Sequence, residues 1–556
     1  MKFYHAYICA ACVALLFSAV LFMGTGCENP VDKPRKPHIL TEIAEYLESQ
    51  PDNGPDEPIP LSFNLSAPND WDVLLATLSY KWKYVALDIS KSTWPELTLF
   101  DPGKHKTGKG FIANLKLPDI STGIVDGAEA SPVFAHFVNL RSISGSNITV
   151  LGRYALEGVT SLQTARFPAL THIKDAAFAN CRQLTDITIP ESVSSIGDDA
   201  FANCSRLTGI NIPENVTSIG DRTFIYCSSL TEIVIPANVS SIGNEAFTYC
   251  SKLAAIVIPG SVLSIGDNVF LDCRNLSRVH IEKGPTNIGT ATFSSCIALE
   301  SVNIPDGIES IGDYLFENCI ALTSIELPES VTSIGISAFR SSGITGITIP
   351  ANVESIGDSA FFGCRNLTSI TIPNKVNVIQ AETFRNSRLA SIDIPESVTS
   401  IGDFAFTNSW LSSITIPENI KSIGNSAFEG CAWLTKVVFP AAITINTIGI
   451  ATFRNSGLTS INIPPGVTSI GDYAFYGCRN LGDIVIPENV ETINREAFAF
   501  CLGLSRVTFS GDIKESNFSP LNPFPGDLYD QYFSEGGGKG EYRTEKPGMN
   551  AKWSKW

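Results

Sequence analysis

Between residues 134 and 509 the chain repeats one arrangement of apolar and polar positions. Its clearest copy, Ile187 to Gly209, reads I-x-I-P-x-x-V-x-S-I-G-D-x-A-F-x-x-C-x-x-L-x-x. One slot holds Phe178, Phe201, Phe224 and so on through Phe498, fifteen copies at intervals of 22 or 23 residues with a single interval of 25. Two degenerate copies precede these at Phe134 and Leu156. A period in the twenties is the mark of a leucine-rich-repeat solenoid, in which a coil buries its apolar face only against its neighbours. The seventeen copies are therefore expected to fold as one object.

Within the unit, Ile187 and Ile189 flank Thr188, a period-two pattern that predicts a short strand with one face buried. Pro190 lacks an N–H and suits a strand margin. Val193 and Ile196 predict a second short extended segment. Gly197 permits a positive φ at the following corner, and Asp198 is expected to N-cap a short turn or helix carrying Ala200 and Phe201.

The next corner has two lengths. Eleven copies place Cys three residues after Phe and Leu six after it; in four copies the slot is Ser (Ser342, Ser387, Ser409, Ser456), and the following Ile or Leu comes one residue sooner. That coupling marks a packing slot, not a reactive position. Of fourteen Cys, setting aside Cys9, Cys12 and Cys27 leaves an odd eleven. Stacked coils would bring neighbouring thiols to ~4.8 Å with parallel side chains. Buried free thiols are expected, with disulfides or a metal ladder as the alternatives.

The N-terminus departs from the repeat. Lys2, an apolar run from Ala6 to Met23, and Gly24-Thr25-Gly26-Cys27 describe a secretory leader. Small residues before Cys27 resemble the lipobox of bacterial lipoproteins, although Gly24 stands where Leu is usual. Cys27 is the expected lipidation site, and multiple acylation would make the anchor stable. Pro30, Pro34, Pro37, Pro51, Pro55, Pro58 and Pro60 predict a semi-rigid stalk, with a short helix over His38 to Gln50.

Composition then narrows the function. Net charge is −17, from 39 basic and 56 acidic residues, which argues against a nucleic-acid binder relying on a basic field. Six dispersed His share no metal-ligand spacing. Gly103-Lys104-His105-Lys106-Thr107-Gly108-Lys109-Gly110 approaches a P-loop but ends in Gly110 where Ser or Thr would hold Mg²⁺, so it is expected to be an ordinary loop. The column of Asp198, Asp221, Asp267, Asp313, Asp358, Asp403 and Asp472 offers one carboxylate per coil, too few for Ca²⁺. No nucleophile–base or paired-carboxylate arrangement stands out, so no catalytic residue and no cofactor are assigned. The outward strand position varies freely, and Arg278, His280, Asn303, Glu326 and Asp393 are its distinctive residues. They are candidates for an extended docking face, against the alternative of a solvated sheet that tolerates variety.

The unit I-P-x-x-V-T-S-I-G-D-x-A-F-x-x-C-x-x-L resembles the BspA-like, or treponemal-type, leucine-rich repeats of bacterial surface proteins. The resemblance covers about Phe134 to Phe509, and Trp71 to Pro118 and Phe524 to Trp553 resemble that family's flanking caps. It implies a right-handed, β-rich solenoid with two short strands per repeat. The expected organisation is a leader over 1–26, a lipidated stalk over 27–61, an N-terminal cap over 62–120, the solenoid over 121–510 and a C-terminal cap over 511–556. The implied function is a non-catalytic lipoprotein, anchored through Cys27 in the bacterial outer membrane and exposed at the surface, that binds host matrix proteins or other cells. The alternative is a structural or spacer lipoprotein of the envelope without a host ligand. Neither the ligand nor the oligomeric state follows from the residues.

Overall fold

A computed structural model describes residues 38–103, 106–519, 521 and 523–556. The expected leader over 1–26 and the expected lipidation site Cys27 lie outside the described residues. The chain divides into two compact units, 1–51 and 52–556. In the first, a helix spans His38–Ser49.

The second unit is a β-solenoid of about 19 turns with repeats of ~23 residues. Each coil contributes to two parallel ladders whose register equals one repeat: Ile210 pairs with Ile233 in the first, Ile242 with Ile265 in the second. Strand alternation is as the sequence predicts, with Ile256 and Ile258 inward and Ala255 and Val257 outward. The Pro slot does more than end a strand. Its carbonyl accepts the N–H of the Val three residues on (Val193 to Pro190, 3.0 Å; Val216 to Pro213, 3.0 Å), closing the turn into the second ladder.

The third side of each coil is neither helix nor strand. The Phe rings, all fully buried, form an offset stack through the core, for example 5.2 Å between the centroids of Phe178 and Phe201 and 5.8 Å between those of Phe293 and Phe316, with planes within 6°. Residues two before and two after Phe are left-handed: Asp199 (φ 56°) and Asn203 (φ 59°), Glu245 and Tyr249, Tyr473 and Gly477. This alternation turns three successive donors the same way, so that Asp199, Phe201 and Asn203 donate to the carbonyls of Asp221, Thr223 and Ile225 in the next coil at 2.9, 2.9 and 2.7 Å. Each left-handed L-residue costs about 1–2 kcal/mol. The later slot answers with Asn or Gly in many copies, such as Asn180, Asn318, Gly363 and Gly430; the earlier slot holds Tyr, Phe, Glu and Ser, which announce nothing.

Two expectations change here. Asp198 does not cap its own turn: its Oδ1 accepts the N–H of Asp221, one coil on, at 2.8 Å. Asp221 accepts from Asn244 (2.7 Å), and Asn244 replaces the carboxylate and accepts from Asp267 (2.9 Å). The missing Cβ of Gly243 is what lets the column approach so closely, since a methyl there would sit 2.5 Å from Asp221 Oδ1. The column stitches coils together because the turn inside each coil already spends its donors on the next one.

The ladder also begins earlier than residue 121. Ile59–Ser62, Val85–Asp88 and Ile112–Lys116 join Ser142–Ser144, Thr164–Arg166 and Asp186–Ile187 in one six-stranded sheet. The region expected as a cap is thus built of solenoid coils, one corner of which is replaced by the helix Pro68–Lys81. That helix buries Trp71, Leu74, Leu75 and Leu78, and Trp71 Nε1 donates to the Pro102 carbonyl at 2.9 Å. At the other end, Gly540–Arg543 pairs antiparallel with the last coil, Arg506–Phe509, and Ser554–Lys555 pairs antiparallel with it in turn. Phe524 extends the ring stack beyond Phe498 at 4.6 Å. Burial pushes the Tyr542 hydroxyl up to about 12, and it donates to the Gly538 carbonyl at 2.7 Å.

Candidate binding surface

The outward side chains of the first ladder form a continuous exposed face. Arg278 and His280 alternate with buried Val279 and Ile281 on one strand, and the register sets them beside Ala255 and Val257 of the preceding coil and Arg278 beside Ser301 of the next. Asn303 is exposed but spoken for: its Oδ1 accepts the Ile281 N–H at 2.8 Å and its Nδ2 donates to the Ile281 carbonyl at 2.6 Å. It carries on the pairing where the ladder itself stops at Val302. Glu326 lies one coil further and Asp393 three coils beyond that, both exposed. The structure therefore groups Arg278 and His280, with Asn303 as their scaffold and Glu326 adjacent, and leaves Asp393 apart. Preceding coils present Val234 and Val257, 73% and 52% exposed, on the same column.

The cysteine corner lies on the inside. All eleven described Cys are buried and free. Each thiol donates back one coil, as Cys227 does to the Phe201 carbonyl at 3.2 Å and Cys250 to that of Phe224 at 3.2 Å. In three of the four Ser copies the hydroxyl meets the next thiol, for example 3.3 Å between Ser409 Oγ and Cys431 Sγ, while Ser387, followed by Ser409, has no such partner. Burial pushes ten of the eleven described thiols up, Cys227 to about 12 and Cys364 and Cys431 to about 11, the last two restrained by their Ser partners, whereas hydrogen bonds with Cys501 and Ser456 hold Cys478 down against its burial. Protonated thiols with a satisfied acceptor are packing groups that offer neither nucleophile nor metal ligand.

The glycine-rich stretch near residue 108 is structural in its described part. Gly108 is left-handed (φ 82°), and a Cβ there would meet the Leu75 carbonyl oxygen of the helix at 2.0 Å. Lys109 is buried, its Nζ donates to the Gly103 carbonyl at 2.6 Å, and desolvation lowers its pKa. Among the described residues no group of three or more His, Cys, Asp or Glu is placed to hold a metal ion.

Two further surfaces were not evident from the repeat pattern. An open cleft of about 760 Å³ at the C-terminal end is lined by Arg506, Arg543, Lys546, Lys552, Asn550 and Trp556. Three of its four cations are already paired, Arg506 with Asp483, Arg543 with Glu541 and Lys552 with Asp527. The second surface is the corner after the Cys slot, where Trp410 and Trp433 of adjacent coils are 47% and 63% exposed. Their rings are 6.3 Å apart and tilted by 41°, and the Arg388 guanidinium lies over Trp410 at 4.5 Å.

The family model for the BspA type leucine rich repeat region matches six times, over residues 130–254, 171–300, 240–367, 286–413, 333–455 and 399–520. Among solved structures, the chain is similar to a leucine-rich repeat protein from Bacteroides ovatus at 32% identity, covering 58% of this chain and 83% of that one, with a TM-score of 0.48. It is also similar to a leucine rich cell surface protein from Faecalibacterium prausnitzii (29% identity, 63% and 84% covered, TM-score 0.36) and to a leucine-rich repeat protein from Eubacterium ventriosum (21%, 64% and 88%, 0.36). No curated protein matches.

Proposed function

The chain belongs to the BspA-type leucine-rich-repeat family, and from that premise we propose that it is a non-catalytic, surface-displayed lipoprotein whose solenoid binds host matrix proteins or proteins of other cells. The observation that supports this reading is the outward face of the first ladder, where rigid parallel strands hold variable side chains in fixed register. Exposed Val234 and Val257 give way along it to the Arg278–His280 pair and then Glu326, an apolar patch rimmed by charge of both signs. Such a face is what solenoids use for partners. The leader and Cys27 supply the anchor in this reading.

A pull-down of purified matrix proteins tests it, comparing the wild-type chain with Arg278→Ala, His280→Ala and Glu326→Ala. Loss of binding by about 1–2 kcal/mol at one or more of these positions is expected for rim-to-core contacts; unchanged capture by all three removes the face from consideration. Protease added to intact cells tests display. If the repeats survive until the envelope is broken, the chain is a periplasmic spacer and the adhesion reading fails.

A further inference from the structure

The solenoid segregates its charge by corner. Between residues 178 and 509 there are 18 Lys and Arg and 31 Asp and Glu. The corner between the Cys or Ser slot and the next inward Ile holds ten of those 18 cations and only four of the 31 carboxylates. A strongly acidic protein thus carries one basic edge. Within it, the six consecutive coils from Phe361 to Phe475 place Arg365, Arg388, Trp410, Trp433, Lys436 and Arg479 in the same corner with a single carboxylate, Asp483, which is paired with Arg506 of the next coil.

All six side chains are exposed. Among the described residues none of the four cations has an ion-pair partner, whereas Lys375, Arg385 and Arg454, which leave the same coils elsewhere, pair with Glu354, Glu382 and Glu429. Unpaired like charges in a row raise the energy of the free protein slightly and are relieved by an extended anion. The two indoles bury little in the core and cost solvation where they stand. The corner also presents the amides of Asn366 and Asn480, while the hydroxyls of Thr368, Ser412, Thr435 and Thr459 donate to carbonyls of the preceding coil and keep lone pairs to accept with.

From this juxtaposition we propose that the corner running from Arg365 to Arg479 is a binding site for a linear sulfated polysaccharide. Six coils at ~4.8 Å span roughly 24 Å between the outer members, so the ligand is a chain and not a single sugar. Three of the four cations are Arg, whose planar fork grips an oxyanion by two donors, and a sulfate stays ionised across the physiological range. Indole faces pack against the C–H face of a pyranose, and the 41° tilt between them suits a twisting glycan. Nucleobases instead ask for parallel platforms inside a basic field, which a net charge of −17 does not supply. The strip touches the strand face through Lys436, which holds on its strand the outward slot that Arg278 holds on its own, but its coils lie beyond those of Arg278, His280 and Glu326, so either proposal can fail alone.

The test measures binding of the chain from residue 28 onward to heparin, hyaluronate and a single-stranded oligonucleotide of matched charge. Heparin is expected to bind, more weakly as salt rises, with hyaluronate and the oligonucleotide at least ~10-fold weaker. The combined variant Arg365→Ser, Arg388→Ser, Lys436→Ser and Arg479→Ser should lose at least ~10-fold in heparin affinity, and Trp410→Ala with Trp433→Ala should lose a comparable share and abolish ligand-induced change in indole fluorescence. Arg182→Ser with Arg206→Ser, at the same corner far from the strip, is expected to leave affinity unchanged. The exposed positions allow folding to be checked by an unaltered circular dichroism melt; should the fourfold variant not fold, each single Ser variant at lower salt replaces it. Equal binding of the oligonucleotide, retained heparin affinity in the strip variants, or no heparin binding at low salt overturns the proposal.

Discussion

Phe316→Ala probes the ring stack near its middle, where a ring is flanked on both sides. Phe316 is fully buried, 5.8 Å from Phe293 and 5.5 Å from Phe339 between ring centroids. Truncating a buried Phe costs about 3–5 kcal/mol. Loss of two ring contacts, ~0.5–1.5 kcal/mol each, is part of that sum. In a quasi-one-dimensional array the cost falls on the two interfaces that share the ring. The amides of Phe316 and Asn318, which donate to Ala338 and Arg340 at 2.8 Å each, should therefore lose about two to three decades of hydrogen-exchange protection. The amides of Phe201 and Phe475 should keep theirs. Phe316→Leu, which retains most of the volume, should cost only about 1–1.5 kcal/mol. If protection falls equally in every coil, or stays unchanged beside the cavity, the stack is not what couples neighbouring coils and the reasoning fails.

Alkaline pH should destabilise the fold through the thiols. Folded Cys227 titrates at about 12 and Cys364 and Cys431 at about 11, against 9.0 for an exposed thiol. The folded state then holds more protons above pH 9, so the stabilisation is full below that pH and is lost as pH rises toward 11–12; urea midpoints that stay level across this window would contradict it. Asp221→Asn should be nearly neutral, because Asn244 already serves in that column, whereas Asp221→Ala should lose about 1 kcal/mol with the Asn244 N–H bond; equal melts for the two would mean that the side chain carries no such bond. Asn318→Val forces a β-branched residue to φ 57° and should lower the melting free energy by about 1–2 kcal/mol, while Asn318→Gly should change it by less than that.

What the residues disclosed depended on whether side-chain type reports the backbone. The paired Ile and the Phe slot are inward on every clear copy, so alternation and period located both ladders and the ring stack. Cys read correctly as a packing slot because its presence tracked corner length, though its S–H bond to the preceding coil has no sequence mark. The left-handed slot before Phe was invisible, because Tyr473, Phe404 and Glu245 occupy it as readily as Ser337; coil-to-coil hydrogen bonds impose that conformation over local preference. Asp198 was misassigned for a related reason: a cap within one turn and a bridge to the next coil ask for the same side chain. The sequence assigns Ile59 to the stalk and Val85 to a cap because a helix interrupts the period of these early coils. On the candidate surface, strand parity placed Arg278 and His280 together, but the structural task of Asn303 and the Trp410–Trp433 corner emerged only from geometry.

The inter-coil bonds also bear on how such a chain changes length. A coil's thiol reaches back to the Phe carbonyl behind it, and its turn amides reach forward to the carbonyls ahead, so both sides of every junction present the same chemistry. Long and short corners meet without conflict, as Ser409 beside Cys431 shows. Removing or duplicating one whole coil creates a single new junction, of a kind already present. Reach away from an anchoring point is then adjustable in single-coil steps of ~4.8 Å, with no compensating substitution required, and a gene that gains or loses one repeat encodes a foldable protein at the first attempt.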